Sequence, residues 1–166
     1  MTEKKTHIPD HGFPPFINGD SEILILGSFP SVKSREQDFF YMHPQNRFWA
    51  VLARIFDDGA FEADCITEKK RALKKHRIAL YDVIESCDIT GSKDSSITNV
   101  KPADIETLIA GTKIRFIALN GKKAASLFKK YNPALNAMAA TLPSTSPANA
   151  QYRLEDLVEH WKKIID

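Results

Sequence analysis

Four consecutive apolar residues, Ile23-Leu24-Ile25-Leu26, close on Gly27-Ser28 with no polar position among them. That is the pattern of a strand covered on both faces, not of one with an alternating solvent face. Ile78-Ala79-Leu80-Tyr81-Asp82-Val83 is a second short strand candidate and Ile114-Arg115-Phe116-Ile117-Ala118-Leu119, stopped by Asn120-Gly121, a third, and a weaker run spans Ala137 to Leu142. Between the runs the apolar spacing lengthens to that of helices. Phe48, Leu52 and Ile55, flanked by Trp49 and Phe56, form one stripe, and Thr67 to His76 forms a second helix anchored by Leu73 with its basic face in solvent. A third carries Ile105, Leu108 and Ile109, with Pro102 as a first-turn proline and Gly111 as its stop. Lys122 to Tyr131, facing inward through Ala125, Leu127 and Phe128, and a C-terminal stripe of Leu154, Leu157, Val158 and Trp161 complete the set. The stretch from Asp82 to Asn99 reads as a polar segment.

Strand and helix alternate about four times, which predicts a three-layer α/β/α sandwich on a central, mainly parallel four-stranded sheet with right-handed crossovers. Residues 1–20, with Pro9, Pro14 and Pro15, read as an N-terminal arm or tail, and residues 21–166 as a single domain. Hydrophobic residues make up 43% of the chain, ten of them Phe, enough to fill the core of one domain. No apolar run approaches the roughly twenty residues of a membrane span and the start is polar, so the expectation is a cytoplasmic protein with no membrane partner. Cys65 and Cys87 are too few for a disulfide scaffold or a cysteine-built metal centre and are expected reduced and buried. His7 and His11 have helical metal spacing, but Pro9 interrupts them and no third ligand stands nearby, so neither metal nor cofactor is expected. A net charge of +2 permits nucleic-acid binding without arguing for it, so any phosphate-binding face must be local.

In open α/β sheets ligands bind beyond the carboxyl ends of the strands. The first such segment, Gly27-Ser28-Phe29-Pro30-Ser31, offers unclaimed backbone N–H groups and two hydroxyls, or is simply a strand-to-loop turn. Next, Tyr41, His43 and Asn46 stand among aromatics ahead of a helix. Aromatic faces stack on bases and amides read polar edges, while Phe48 and Trp49 fit the core stripe and Tyr41 and His43 fit either role. Asn120-Gly121-Lys122-Lys123 presents a helix start and two cations to a phosphate, or an ordinary lysine pair. In Pro143-Ser144-Thr145-Ser146-Pro147-Ala148-Asn149, Ser146 or Asn149 caps the last helix or the loop touches a nucleic-acid backbone.

Taken in order, Leu26 to Ser31, His43 to Trp49 and Leu142 to Asn149 resemble the signatures of the uracil-DNA glycosylase superfamily, closest to its hypoxanthine-DNA glycosylase branch; His43-Pro44-Gln45-Asn46-Arg47-Phe48-Trp49 also resembles the mismatch-specific uracil/thymine enzymes. The resemblance covers most of the chain from Ser21 to Trp161. It implies a monofunctional enzyme that flips a deaminated base, hypoxanthine or uracil, out of DNA and hydrolyses its N-glycosidic bond without a cofactor. It further implies a monomer whose abasic product passes to downstream processing enzymes. By the same resemblance, Gly27, Ser28 and Phe29 line the sugar and base, with Phe29 standing where mismatch-specific relatives hold a water-positioning Asn. Asn46 takes the catalytic role, and Tyr41 stacks on the flipped base beside His43. Asp82 stands near a base-reading position and would accept a ring N–H, or is a buried cap or ion-pair partner. Ser144 occupies the place of a catalytic His or Asn. Ala148 replaces an intercalating Leu, and Ser31, Lys122, Ser146 and Asn149 face the DNA. The competing readings are a non-catalytic module binding damaged DNA or nucleotides, and a hydrolase of free nucleosides.

Overall fold

A computed structural model describes residues 4–166. Its centre is a four-stranded parallel sheet in the order β3-β2-β6-β7, formed by β2 (Ile23–Gly27), β3 (Ile78–Asp82), β6 (Phe116–Asn120) and β7 (Ala139–Leu142). Every residue of β2 is buried, as its unbroken apolar run requires, because it pairs with β3 on one side and β6 on the other. The register aligns Gly27 with Asp82 and Asn120 with Leu142, so the strands end together along one rim.

Helices cover both faces. Against one lie α2 (Phe48–Phe56), α3 (Ile66–Lys75) and α6 (Leu154–Trp161), packing an aromatic core that includes Phe48, Trp49, Phe61 and Trp161. The other face is largely aliphatic, closed by α4 (Ile105–Ile109) and α5 (Lys122–Tyr131) with Leu24, Leu26, Ile105 and Phe128 in its core. The layered sandwich expected from the alternating pattern is therefore present.

The segment from Asp82 to Asn99, read only as polar, holds β4 (Ile84–Thr90), which pairs antiparallel with β1 (Lys5–Ile8) and β5 (Thr98–Pro102) in a second sheet. Ile84, Cys87 and Ile89 are buried along β4 while Glu85 and Asp88 are less covered, an alternation interrupted by register shifts around Ser86 that hides it from a period-two search. Pro102 ends β5 and does not open α4, whose start is capped by the Asp104 carboxylate accepting the Thr107 N–H at 3.1 Å. A short helix, α1 (Val32–Gln37), lies where none was expected. Ser146 and Asn149 do not cap α6; Arg153 holds that position. On α3 the basic face is not wholly solvated, since Lys69 is buried and donates to the carbonyls of Phe61 and Ala63. Cys87 is buried as expected, but Cys65 is exposed.

Residues 10–17 run back along the domain. Phe16 exchanges both backbone hydrogen bonds with Leu80, at 3.0 and 2.8 Å, and His11 and Phe13 are buried. The expected arm therefore lies against the domain from β1 onward.

Candidate active site

The strand ends form the floor of a cavity of about 510 Å³, a volume suited to a small organic ligand. Over Gly27 the space is already occupied. A Cβ there would stand 2.6 Å from Asp82 Oδ1 and 3.1 Å from Tyr41 Oη, so only glycine lets both groups approach. The two hydroxyls expected to be unclaimed in this turn are in use. Ser28 Oγ donates to Asp94 Oδ1 at 2.6 Å, and Ser31 Oγ caps α1 by accepting the Ser34 N–H at 3.2 Å. Phe29 is buried, with the Arg35 guanidinium 5.7 Å from its ring centre.

Tyr41 has a left-handed backbone, with φ 55°, as does Asp38 nearby with φ 56°, and Trp49 Nε1 donates to the Tyr41 carbonyl at 3.0 Å. Its ring stacks on Phe48 with centroids 3.9 Å apart, which leaves the hydroxyl buried and without a hydrogen-bond partner. Burial, reinforced by the charges of Asp82 and Asp94 and opposed by the nearby Asn120 amide, raises the pKa of this phenol and keeps its proton in place. Asp94, at the tip between β4 and β5, is likewise pushed upward by desolvation, against the Ser28 hydrogen bond that favours its charged form.

The opposite wall is a directional network. Asn120 Oδ1 accepts the Thr145 N–H at 3.0 Å, which fixes its amide so that Nδ2 donates to Thr145 Oγ1 at 3.1 Å. The Thr145 hydroxyl, fully buried, spends its own proton on Asn46 Oδ1 at 2.8 Å, and the Phe48 N–H donates to the same oxygen at 2.9 Å. Asn46 is thereby oriented with its Nδ2 donor left over at the cavity wall.

Arg47 secures the loop that supplies Thr145. Its Nη2 donates to the carbonyls of Ser146 and Asn149 at 2.8 and 3.0 Å, its Nη1 to that of Tyr152, and its backbone N–H to that of Thr145. Within this loop Ser144, Ser146 and Ala148 line the cavity, as does His43 from before α2. Gly121 permits the close approach, for a Cβ there would meet Ser144 Cβ at 3.0 Å, and its φ of 98° suits glycine alone. Two expected residues stand apart from the cavity lining. Lys122 is exposed at the start of α5, and Asn149 turns its Nδ2 back to the Ser144 carbonyl at 3.0 Å.

Sequence reasoning gave Asp94, Thr145 and Arg47 no role and weighed His11 only as a metal ligand. Thr145 and Arg47 lay inside strings already noted, and the signal for Arg47 was a cation among aromatics at a helix start, where solvation is poor. His11 Nε2 meets Asp82 Oδ2 at 2.6 Å, both side chains at least nine-tenths buried, and nothing local in the sequence announces that pair. Among the described residues no group of His, Cys, Asp and Glu is arranged to hold a metal ion, and no helix is long and apolar enough to cross a membrane.

The family model described as the uracil DNA glycosylase superfamily matches residues 14–165. A relative from Methanosarcina acetivorans named hypoxanthine DNA glycosylase is 36% identical over 146 residues, covering 85% of this chain and 89% of its own. A protein of the same name from Methanosarcina barkeri is 33% identical over 142 residues, covering 83% and 87%. A solution NMR structure from Methanosarcina acetivorans, provisionally designated a uracil DNA glycosylase, superposes over 100% of both chains with a TM-score of 0.74 at 29% identity.

Proposed function

The chain belongs to the uracil-DNA glycosylase superfamily and is a DNA glycosylase acting on damaged bases, and we propose that the base it removes is hypoxanthine, hydrolysed from a nucleotide flipped into the rim cavity. The observation that carries this reading is the oriented amide of Asn46. Because Oδ1 already accepts from Thr145 and Phe48, the side chain faces a ligand only as a donor. Breaking an N-glycosidic bond sends negative charge into the departing base and positive charge onto the sugar. A donor fixed before the reaction stabilises that anion without reorganising. Asn46 therefore serves the leaving base, Gly27 to Phe29 flank the sugar, and Ser144 and His43 close the sides of the pocket.

Ala148 stands at the cavity with only a methyl group to insert into a helix. Extrusion then relies on weakly held pairs, and mismatched or deaminated bases are the ones that flip at least cost. Ser31, Ser146, Asn149 and Lys122 take the flanking backbone. The enzyme acts as a monomer in the cytoplasm and hands its abasic product to downstream processing enzymes.

Labelled duplexes containing hypoxanthine, uracil or xanthine, treated with enzyme and then alkali, test the reading. Strand cleavage strongest at hypoxanthine is expected, and Asn46→Ala should lower the single-turnover rate by about 10²–10³-fold with DNA affinity nearly unchanged. No cleavage at hypoxanthine, or wild-type turnover by Asn46→Ala, would overturn the substrate or the role respectively.

A further inference from the structure

Deamination of adenine changes one edge of the base in two adjacent places. The N1 lone pair becomes an N–H donor, and the amino donor at C6 becomes a carbonyl acceptor. A site that tells the product from its parent needs an acceptor beside a donor. The cavity floor has both, over Gly27: the free carboxylate oxygen of Asp82 and the unpartnered, buried hydroxyl of Tyr41.

Hydrogen-bond valence fixes which is which. His11 Nδ1 lies 3.0 Å from the Phe13 carbonyl, and a carbonyl only accepts, so Nδ1 carries a proton. Nε2 and Asp82 Oδ2, 2.6 Å apart, then share a single proton. Whichever atom holds it, the remaining oxygen, Oδ1, is an acceptor, as a carboxylate oxygen in one case and as the carbonyl of the acid in the other. Aromatic rings seal this pair, with Phe13 at 4.6 Å and Tyr81 at 4.5 Å from the imidazole centre, so water does not compete for the proton. Tyr41 supplies the complement. Its hydroxyl has no partner among the described residues, and burial beside two carboxylates keeps it protonated and hence a donor.

We propose that Asp82 Oδ1 and Tyr41 Oη form an acceptor–donor pair that reads the adjacent N–H and C=O of a lactam base, with His11 as the positioning residue that holds Asp82 in its accepting orientation. The proposal rests on the glycosylase reading above and adds its specificity. Hypoxanthine satisfies both atoms, whereas adenine sets a lone pair against Oδ1, leaving buried polar groups unpaired. Uracil carries the same edge and is separated by its single ring, and xanthine, a purine with that edge, differs at C2. Guanine shares it too and is distinguished at C2 and by the cost of breaking its pair with cytosine.

Three substrates and two variants test this in single-turnover assays on duplex DNA. Wild-type enzyme should excise 1-methylhypoxanthine, which keeps the carbonyl but loses the N–H, at least about 100-fold more slowly than hypoxanthine. Tyr41→Phe removes one unpartnered oxygen and keeps the stacked ring. It should lower hypoxanthine excision about tenfold or more. On unsubstituted purine, which lacks the carbonyl, it should match wild type, a response that a purely structural role for the hydroxyl would not give. Asp82→Ala removes the accepting oxygen, and should shrink the penalty of the N1-methyl group to within about threefold. If hypoxanthine is excised but wild type treats its 1-methyl derivative alike, or Tyr41→Phe loses equally on hypoxanthine and purine, the edge-reading pair is wrong and the glycosylase reading stands. If wild type excises no hypoxanthine, both fall. The 1-methyl comparison needs no variant to fold.

Discussion

The two walls of the cavity are held in different ways. On one side Asn120, Thr145 and Asn46 form a series in which each hydrogen bond fixes the direction of the next, and Arg47 fastens the loop beneath them. On the other, the tip of the β4–β5 hairpin is tied to the first turn by separate bonds, Ser28 Oγ to Asp94, the Val32 N–H to Ser92 Oγ at 2.9 Å and Arg35 Nη2 to the Gly91 carbonyl at 2.7 Å. A series transmits the loss of one member to the rest, while separate ties fail singly. The first arrangement suits a group that must be oriented before the reaction, and the second suits a rim that only frames the substrate.

The contrast can be broken most severely at Arg47. Arg47→Ala leaves several loop carbonyls without their charged donor, and should cost about 3 kcal/mol in urea denaturation together with most of the excision activity. Arg47→Lys should not restore it, because a single ammonium cannot span the carbonyls of Ser146, Asn149 and Tyr152. A smaller effect is expected at Thr145. Thr145→Val removes the proton that orients Asn46 and should slow single-turnover excision about tenfold with substrate affinity retained, and Thr145→Ser should recover most of the rate. Were Thr145→Val to excise at the wild-type rate, the network would be scaffold only.

On the hairpin side Asp94→Asn sharpens the comparison through pH. Burial raises the Asp94 carboxyl in the folded protein, so the acid form is favoured by folding, and stability is lost as pH rises through the window between the unfolded and folded values. Asparagine has no such window and still accepts from Ser28. The variant should melt at or above the wild-type temperature at pH 7, the gap closing below about pH 4. Least affected should be His7→Ala, which breaks an exposed pair with Asp88 and should change stability by less than about 1 kcal/mol in the same denaturation assay.

The same two walls mark what could be read in the chain beforehand. Gly27, Tyr41, Asn46 and Ser144 follow buried strands or precede a strong apolar helix stripe, so local pattern and chain order alone bring them to one rim. The four parallel strands and, among the described residues, five of the six α-helices come from equally local signals. Asp94 does not, because β4 carries its apolar alternation through a register shift and ends in a polar tip. Nor does His11, whose place is set by β1 pairing with a strand some eighty residues on, an interaction without trace in nearby spacing. Thr145 was visible as a residue but not as a link, since its role comes from the amides it meets.

His11 and Asp82 are 71 positions apart. At ordinary rates of synthesis, roughly 4–14 s pass between the appearance of one and of the other. Through that interval the imidazole has no carboxylate to meet and the aromatic segment around it has no sheet to cover, so the part of the pocket nearest the amino terminus is made first and finished late. A nascent chain thus remains without the floor of its cavity until the second parallel strand has emerged.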